Sequence, residues 1–343
     1  MSVVLKDCTA AELAHGLAPA GVSAVAARKL HASAIRHGVW PGPEPGLSRR
    51  TIEAAQAVAE IPHLEIVDRV TSPVDGFTKY LFRGAGAYPF EAVRIPLLHR
   101  ADDPKYVVCV SSQVGCSLGC VFCATAKLGL RRNLAAWEMV DQVVKIQAES
   151  RHPVRGVVFM GMGEPMMNYE AVIRAARILS EPCGPAIAAK AISISTAGII
   201  PGIRRFTAEG HPYRLVVSLT SADPQRRREL MPVEEACPTP DLVQAMREYH
   251  AATGRRVMVA WVMISGVNTR EEDARQLAEL FRGLPIQLDL IDVNDAEKKY
   301  LPPSDAERNA FRDALSKHLG MPVARRYSGG QDVRAGCGML AGT

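Results

Sequence analysis

No stretch of this chain reaches the roughly 18 consecutive apolar residues that a membrane-crossing helix needs, so a transmembrane helix is excluded. Cysteine is sparse, 8 in 343 residues, far below the density of small secreted scaffolds stapled by disulfides. No signal-peptide pattern opens the chain, and the cytoplasm, where thiols stay reduced, is the expected compartment. Tandem repeats and low-complexity tracts are absent. Missing too is any second Cys-x2-Cys or His-x3-His hook, the usual second half of a structural zinc site. What remains is a chain with 48% hydrophobic residues, enough for one main domain and a smaller accessory one.

The most informative segment is Cys116-Ser-Leu-Gly-Cys120-Val-Phe-Cys123. Its Cys-x3-Cys-x2-Cys spacing offers three soft thiolates from one short loop. Most single-cluster iron–sulfur proteins supply four cysteines; three leave one iron of a four-iron cluster open. That iron can hold the amino and carboxylate groups of S-adenosylmethionine and pass an electron to its sulfonium, which points to radical chemistry. Thiolates also suit zinc, so a structural zinc site is the competing reading. Gly115 and Gly119 let the backbone curl close to a metal.

Along the chain, residues 1–61 read as a helical accessory domain. Thr9-Ala-Ala-Glu12 has the form of a capping box, residues 21–37 form a basic, alanine-rich helix, and residues 51–58 a further one. Residues 62–104 change to short alternating runs, at 64–70, 78–83 and 90–96, expected to form a small antiparallel extension. From residue 105 to 343 six β-like runs, at 106–110, 156–160, 191–195, 214–219, 257–263 and 287–291, alternate with amphipathic stretches. This is the pattern of parallel βαβ units, and six of them predict an α/β fold, a partial (β/α)6 barrel with function at the C-terminal ends of its strands. The cysteine triplet follows the first of these strands.

Polar or glycine-rich positions end the other strands. Gly161-Met-Gly163-Glu164-Pro165 combines glycines, which permit close approach of a ligand, with a carboxylate able to accept from an ammonium group; an ordinary strand-to-helix turn is the alternative. Ser195 and the run Ser218-Leu219-Thr220 close two further strands with hydroxyls suited to ribose or carboxylate oxygens, or to capping the backbone. Asn294 follows the sixth, where its amide can pair with an adenine edge. The net charge is +5, and arginine pairs or triplets recur at 49–50, 131–132, 204–205, 226–228, 255–256 and 325–326. A solvated surface explains any one of them; their recurrence favours phosphate neutralisation.

Cys109 stands seven residues before the triplet, and Cys337 lies in Ala335-Gly-Cys337-Gly-Met. Together with Cys109-Val-Ser-Ser-Gln-Val-Gly-Cys116 through Asn133-Leu134, Gly161-Met-Gly-Glu-Pro165, Ser195-Thr-Ala-Gly198 and Ser218-Leu219, the chain from about residue 10 onward resembles the RlmN/Cfr family of radical-SAM RNA methyltransferases. The resemblance implies a [4Fe-4S] cluster on Cys116, Cys120 and Cys123, and S-adenosylmethionine (SAM) against Gly163, Glu164, Ser195, Ser218, Leu219, Thr220 and Asn294. It implies an S-methylated Cys337, a Cys109 that resolves the later protein–RNA adduct through a transient disulfide with Cys337, and Glu91 as proton acceptor. It further implies two SAM molecules per turnover, ribosomal or transfer RNA as substrate, methylated at adenine carbon 2, an external flavodoxin-like or ferredoxin-like electron donor, a monomer, and RNA binding by the helical N-terminal domain. Two departures stand out: Thr220 where the family commonly has His, and Asn294-Asp295 in place of Asn-Pro. The alternatives are a radical-SAM enzyme acting on a non-RNA substrate, and a non-catalytic RNA-binding protein with a structural metal.

Overall fold

The computed structural model describes residues 2–97, 103–295, 297–320 and 323–342, with backbone alone at 324 and 325. Three helices open the chain: α1 (Ala10–Leu17), α2 (Ala24–His37) and α3 (Arg49–Gln56). The capping box at α1 forms as the sequence predicts, with the Thr9 side chain accepting from the Glu12 amide and Glu12 accepting from the Thr9 amide. These helices carry a core of their own, including Leu13, Leu17, Leu30 and Ile52.

The accessory helices join the barrel through buried polar contacts. Lys6 Nζ lies 2.6 Å from Asp141 Oδ1, both side chains fully buried, and also donates to the Pro62 carbonyl at 2.9 Å. The other Asp141 oxygen accepts from the Leu64 amide. Asp7 accepts from the Trp137 amide at 3.0 Å, and Arg36 donates to the Gly184 carbonyl at 2.8 Å.

One ten-stranded sheet organises the rest: β1 (Glu65–Thr71), β2 (Thr78–Arg83), β3 (Phe90–Leu97), β4 (Lys105–Cys109), β5 (Val154–Phe159), β6 (Ile192–Thr196), β7 (Arg214–Ser218), β8 (Val257–Met263), β9 (Ile286–Asp292) and β10 (Ala324–Arg325). Chain order and spatial order coincide from one edge to the other. The first four strands pair antiparallel, and β4 through β10 pair parallel. Six helices make the parallel crossovers: α4 (Ala136–Ala148), α5 (Tyr169–Ser180), α6 (Ile200–Ala208), α7 (Thr239–Thr253), α8 (Glu271–Leu280) and α9 (Asp305–Leu319). Strands β4 to β9 are the six expected units, and the antiparallel extension is β1 to β3. The strand β10 was not anticipated: two residues are too short to show alternation. The helix α6 accommodates both Pro201 and Gly202 near its start. Pro201 sits in the first turn, where its missing N–H costs nothing. Gly202 lies where a Cβ would come within 2.7 Å of Met166 Cβ, so glycine permits the close helix packing.

Both faces of the parallel strands are covered, and their apolar runs are continuous rather than alternating, as in β5, where four of the last four residues are buried. The C-terminal strand ends therefore emerge from a rigid core that includes Phe159, Ile194, Val217 and Trp261.

Candidate active site

The loop after β4 is shaped by backbone requirements. Gln113 and Val114 pair with Asn133 and Arg132 in a short antiparallel ladder. Gly115 then turns with φ 75°, and a Cβ there would sit 1.8 Å from the Gly129 carbonyl oxygen. Beyond that turn come Cys116, Cys120 and Cys123, all lining one cleft of about 1450 Å³ counted to its open mouth. Among the described residues, no group of donors within 4.8 Å of one another contains these three thiols. A mononuclear zinc would need them that close, whereas a cluster spreads its cysteine ligands over several irons. Three thiols from one loop, lining one cleft, are a donor set that fits a cluster. Burial holds the Cys116 thiol up at about 11, and holds Cys120 above its ordinary value; bound iron takes thiolates, so cluster binding must displace those protons.

The strand ends close the cleft. Gly163 has φ 97°, and a Cβ would lie 2.5 Å from Gln113 Cβ. Glu164 follows, 3% exposed, its two oxygens accepting from the amides of Met166 (2.9 Å) and Ala197 (2.8 Å). Burial raises its pKa to about 7 against the pull of those hydrogen bonds. Ser195, Ser218 and Asn294 also line the cleft. Thr220 lines it with φ 62°, a left-handed conformation uncommon for a β-branched residue. Its Oγ1 is buried with no hydrogen-bond partner, an orphaned polar atom suited to a bound ligand. Leu219 does not face the cleft: its side chain is fully buried, its amide donates to the Ala260 carbonyl, and its carbonyl accepts from Arg227 Nε.

The C-terminal segment folds back over this cleft. Gly338 O accepts from the Ala124 amide at 2.8 Å, and Leu340 O from Thr125 Oγ1 at 2.6 Å, so the segment docks on the cysteine loop. Asn294 Nδ2 donates to Ser328 Oγ (2.8 Å) and to the Cys337 carbonyl (3.3 Å). Cys337 is exposed and lines the cleft, as does Cys109. Desolvation pushes the Cys109 thiol up to about 12, the neighbouring Cys337 adds to the rise, and Arg326 opposes it. Arg326, recognised in sequence only as half of a basic pair, thus faces both thiols. Two carboxylates anchor the segment from the antiparallel strands. Asp75 accepts from the Gly330 amide (2.8 Å) and the Tyr327 hydroxyl (3.0 Å). Glu91, fully buried, accepts from the amides of Ala341 (2.7 Å) and Gly342 (2.9 Å) and pairs with Lys79 at 2.7 Å. Glu91 is not among the residues lining the cleft. Of the sequence-identified positions, then, eleven meet at one cleft, while Leu219 and Glu91 stand behind its walls.

A family model for the radical SAM superfamily matches residues 110–280. A protein of Myxococcus xanthus named "Probable RNA methyltransferase" is 49% identical over 99% of this chain and 94% of its own length. The chain belongs to the radical-SAM RNA methyltransferases of the RlmN type. The "Dual-specificity RNA methyltransferase RlmN" of Syntrophobacter fumaroxidans is 37% identical over 98% of both chains. A crystal structure of a radical SAM methyltransferase from Sphaerobacter thermophilus superposes with a TM-score of 0.90 at 36% identity, covering 99% of this chain and 100% of the other. This enzyme is accordingly a methyltransferase whose family uses a [4Fe-4S] cluster and SAM, with RNA as the implied substrate. No helix among the described residues is long and apolar enough to cross a membrane.

The arginine pairs divide into two kinds. Arg132 makes two 2.7 Å bonds to the buried Glu138, Arg204 pairs with Glu248, Arg226 with Asp273, and Arg227 with Glu234. The pairs that Arg132, Arg226 and Arg227 make with buried carboxylates hold the fold together, whereas Arg204 and Glu248 form an exposed surface pair. Arg49, Arg50 and Arg228 are exposed or half-exposed and remain candidates for phosphate; the Arg325 side chain lies outside the described residues.

Proposed function

We propose that this enzyme methylates adenine carbon 2 in ribosomal or transfer RNA through an S-methylcysteine at Cys337. The observation that carries the reading is the presence of two further thiols, Cys109 and Cys337, in the cleft that also holds Cys116, Cys120 and Cys123. An aromatic C–H carbon has no lone pair with which to attack SAM, so polar methyl transfer is disfavoured and a thiol relay is needed. When bound, the cluster and SAM supply a methyl group and, from a second SAM, a radical that removes one hydrogen from a methyl group.

The chain's own residues order these events. Cys116, Cys120 and Cys123 hold the cluster. Gly163 opens space for the cofactor backbone, Glu164 accepts from its ammonium group, and Ser195, Ser218, Thr220 and Asn294 present polar atoms to its remaining groups. Leu219 acts behind them, its main-chain bonds fixing Ser218 and Thr220. Cys337 loses its proton and takes the methyl. After that carbon is joined to the base, the radical adduct gives back one electron to the redox partner that supplied it and loses the ring proton, which restores aromaticity. Cys109 thiolate then attacks the Cys337 sulfur, forming an S–S bond and breaking the S–C bond. The electron pair leaves with the carbon, which takes a proton from solvent to complete the methyl group, and two electrons from the external reductant return the disulfide to thiols. Glu91 can take the ring proton only once Ala341 and Gly342 have left its carboxylate. The substrate base must leave its stack to enter the cleft, and the basic accessory helices hold the surrounding RNA by shape and phosphate. A reductant of flavodoxin or ferredoxin type, a monomeric state, a cytoplasmic location and division into residues 1–61, 62–104 and 105–343 belong to the same proposal.

The test uses two variants with an RNA substrate. Cys337→Ala should abolish methylation while cofactor cleavage persists, and Cys109→Ala should accumulate a covalent protein–RNA adduct visible on a denaturing gel. Full methylation by Cys337→Ala would sink the relay.

A further inference from the structure

Far from the cleft in sequence, the turn after α5 meets the accessory helices at three donor side chains: His31 on α2, and Glu181 and Cys183 just beyond α5. One donor atom from each lies within 4.8 Å of the other two. Cys183 Sγ is 3.6 Å from His31 Nδ1 and 3.5 Å from Glu181 Oε2. A tetrahedral zinc with Zn–S near 2.3 Å and Zn–N or Zn–O near 2.0 Å sets its ligands about 3.3–3.6 Å apart. The sulfur already stands at that spacing from both partners.

The imidazole is oriented as a ligand needs. Its side chain is fully buried, and Nε2 lies 2.9 Å from the Cys8 carbonyl. A carbonyl only accepts, so the hydrogen resides on Nε2 and the Nδ1 lone pair turns to the thiol. This hydrogen bond from the distal nitrogen to a carbonyl is the usual support of a metal-bound histidine. Burial also favours the neutral ring that a metal requires. Glu181 Oε2 further accepts from the Ala10 amide at 2.9 Å, which fixes the carboxylate. Its side chain is 22% exposed and Cys183 is half-buried, so solvent reaches the site.

We propose that His31, Glu181 and Cys183 form a zinc site, with solvent as the fourth ligand, that clamps the accessory helices to the barrel. The mixed nitrogen, oxygen and sulfur donors suit zinc. Binding exchanges the Cys183 S–H bond for an S–Zn bond; the proton goes to solvent and nothing is oxidised.

The test takes the cluster-loaded full chain, equilibrates it anaerobically with Zn²⁺, removes loose metal, and counts iron and zinc. The expected result is a single zinc beside the iron, lost in Cys183→Ser and Glu181→Gln with iron content unchanged. Zinc at about ten times its dissociation constant or more should also slow amide exchange in α2 by roughly tenfold in the wild type and not in Cys183→Ser. The half-exposed Cys183 is the deciding position, because replacing the fully buried His31 risks unfolding. Wild-type zinc no higher than that of Cys183→Ser overturns the site, as does exchange in α2 that ignores zinc.

Discussion

The junction between accessory helices and barrel yields a prediction with a defined size. In Asp141→Asn, Lys6 keeps the Pro62 carbonyl and the His63 ring at 3.3 Å but loses its counter-charge, while the Leu64 amide loses its charged acceptor. Both members of the pair are fully buried, so the penalty is that of an uncompensated buried charge, about 3–5 kcal/mol. Burial already holds the Lys6 ammonium below the ordinary lysine range, with Asp141 pulling the other way. Removing Asp141 lowers it further. A base depressed in the folded state carries its full cost at low pH and sheds it as pH rises toward the unfolded value. The deficit of Asp141→Asn should therefore be largest near neutrality and shrink toward pH 10. Urea unfolding followed by tryptophan fluorescence measures the deficit, Trp137 being placed at the junction by the bond from its amide to Asp7. The double variant Lys6→Met/Asp141→Leu should recover most of the loss, since an apolar pair replaces the buried ions. A deficit in Asp141→Asn below about 1 kcal/mol, the scale of an exposed ion pair, would refute this account.

Three further outcomes are expected. Gly115→Ala should lose iron on reconstitution, measured by iron content, because its Cβ meets the Gly129 carbonyl at 1.8 Å and the ligand loop cannot close. Thr220→Gly relieves a left-handed β-branched residue, worth about 1–2 kcal/mol, but gains unfolded-state freedom of similar size; its melting temperature should barely move. Its SAM affinity, by equilibrium dialysis of the cluster-loaded protein, should fall about tenfold with the loss of one hydrogen bond to Oγ1. Glu164, raised to about 7 from an ordinary 4.5, favours its protonated form when folded. That contribution is complete below the ordinary value and gone above the folded one. Cluster-free wild type should thus lose up to about 3 kcal/mol relative to Glu164→Gln between pH 5 and pH 8, read from paired urea curves.

The sequence made local chemistry visible and left long-range chemistry hidden. Strand runs and the cysteine triplet announce themselves within a few residues, and the six parallel units and the capping box at Thr9 follow from that. The site residues at strand ends were legible because topology carries them to one face. What stayed out of reach depends on partners far apart in the chain. Lys6 and Asp141 are 135 residues apart, and Asp75 meets Gly330 across 255. The left-handed turn at Thr220 has no signature in a β-branched residue. Arginine pairs likewise looked alike in sequence, although burial commits Arg227 to Glu234 and leaves Arg228 at the surface.

The C-terminal segment is gripped by its main chain. The Gly338 carbonyl accepts from the Ala124 amide and the Leu340 carbonyl from the Thr125 hydroxyl, while the Ala341 and Gly342 amides donate to the Glu91 carboxylate. Positive φ at Gly338 (84°) and Gly342 (71°) sets the path. Such a strap is indifferent to most substitutions in itself and sensitive to those in its moorings. Met339 and Ala341 should therefore tolerate substitution better than the buried Leu340 or the moorings Thr125 and Glu91. The strap can also peel away bond by bond, so Cys337 can travel without any element of the barrel unfolding.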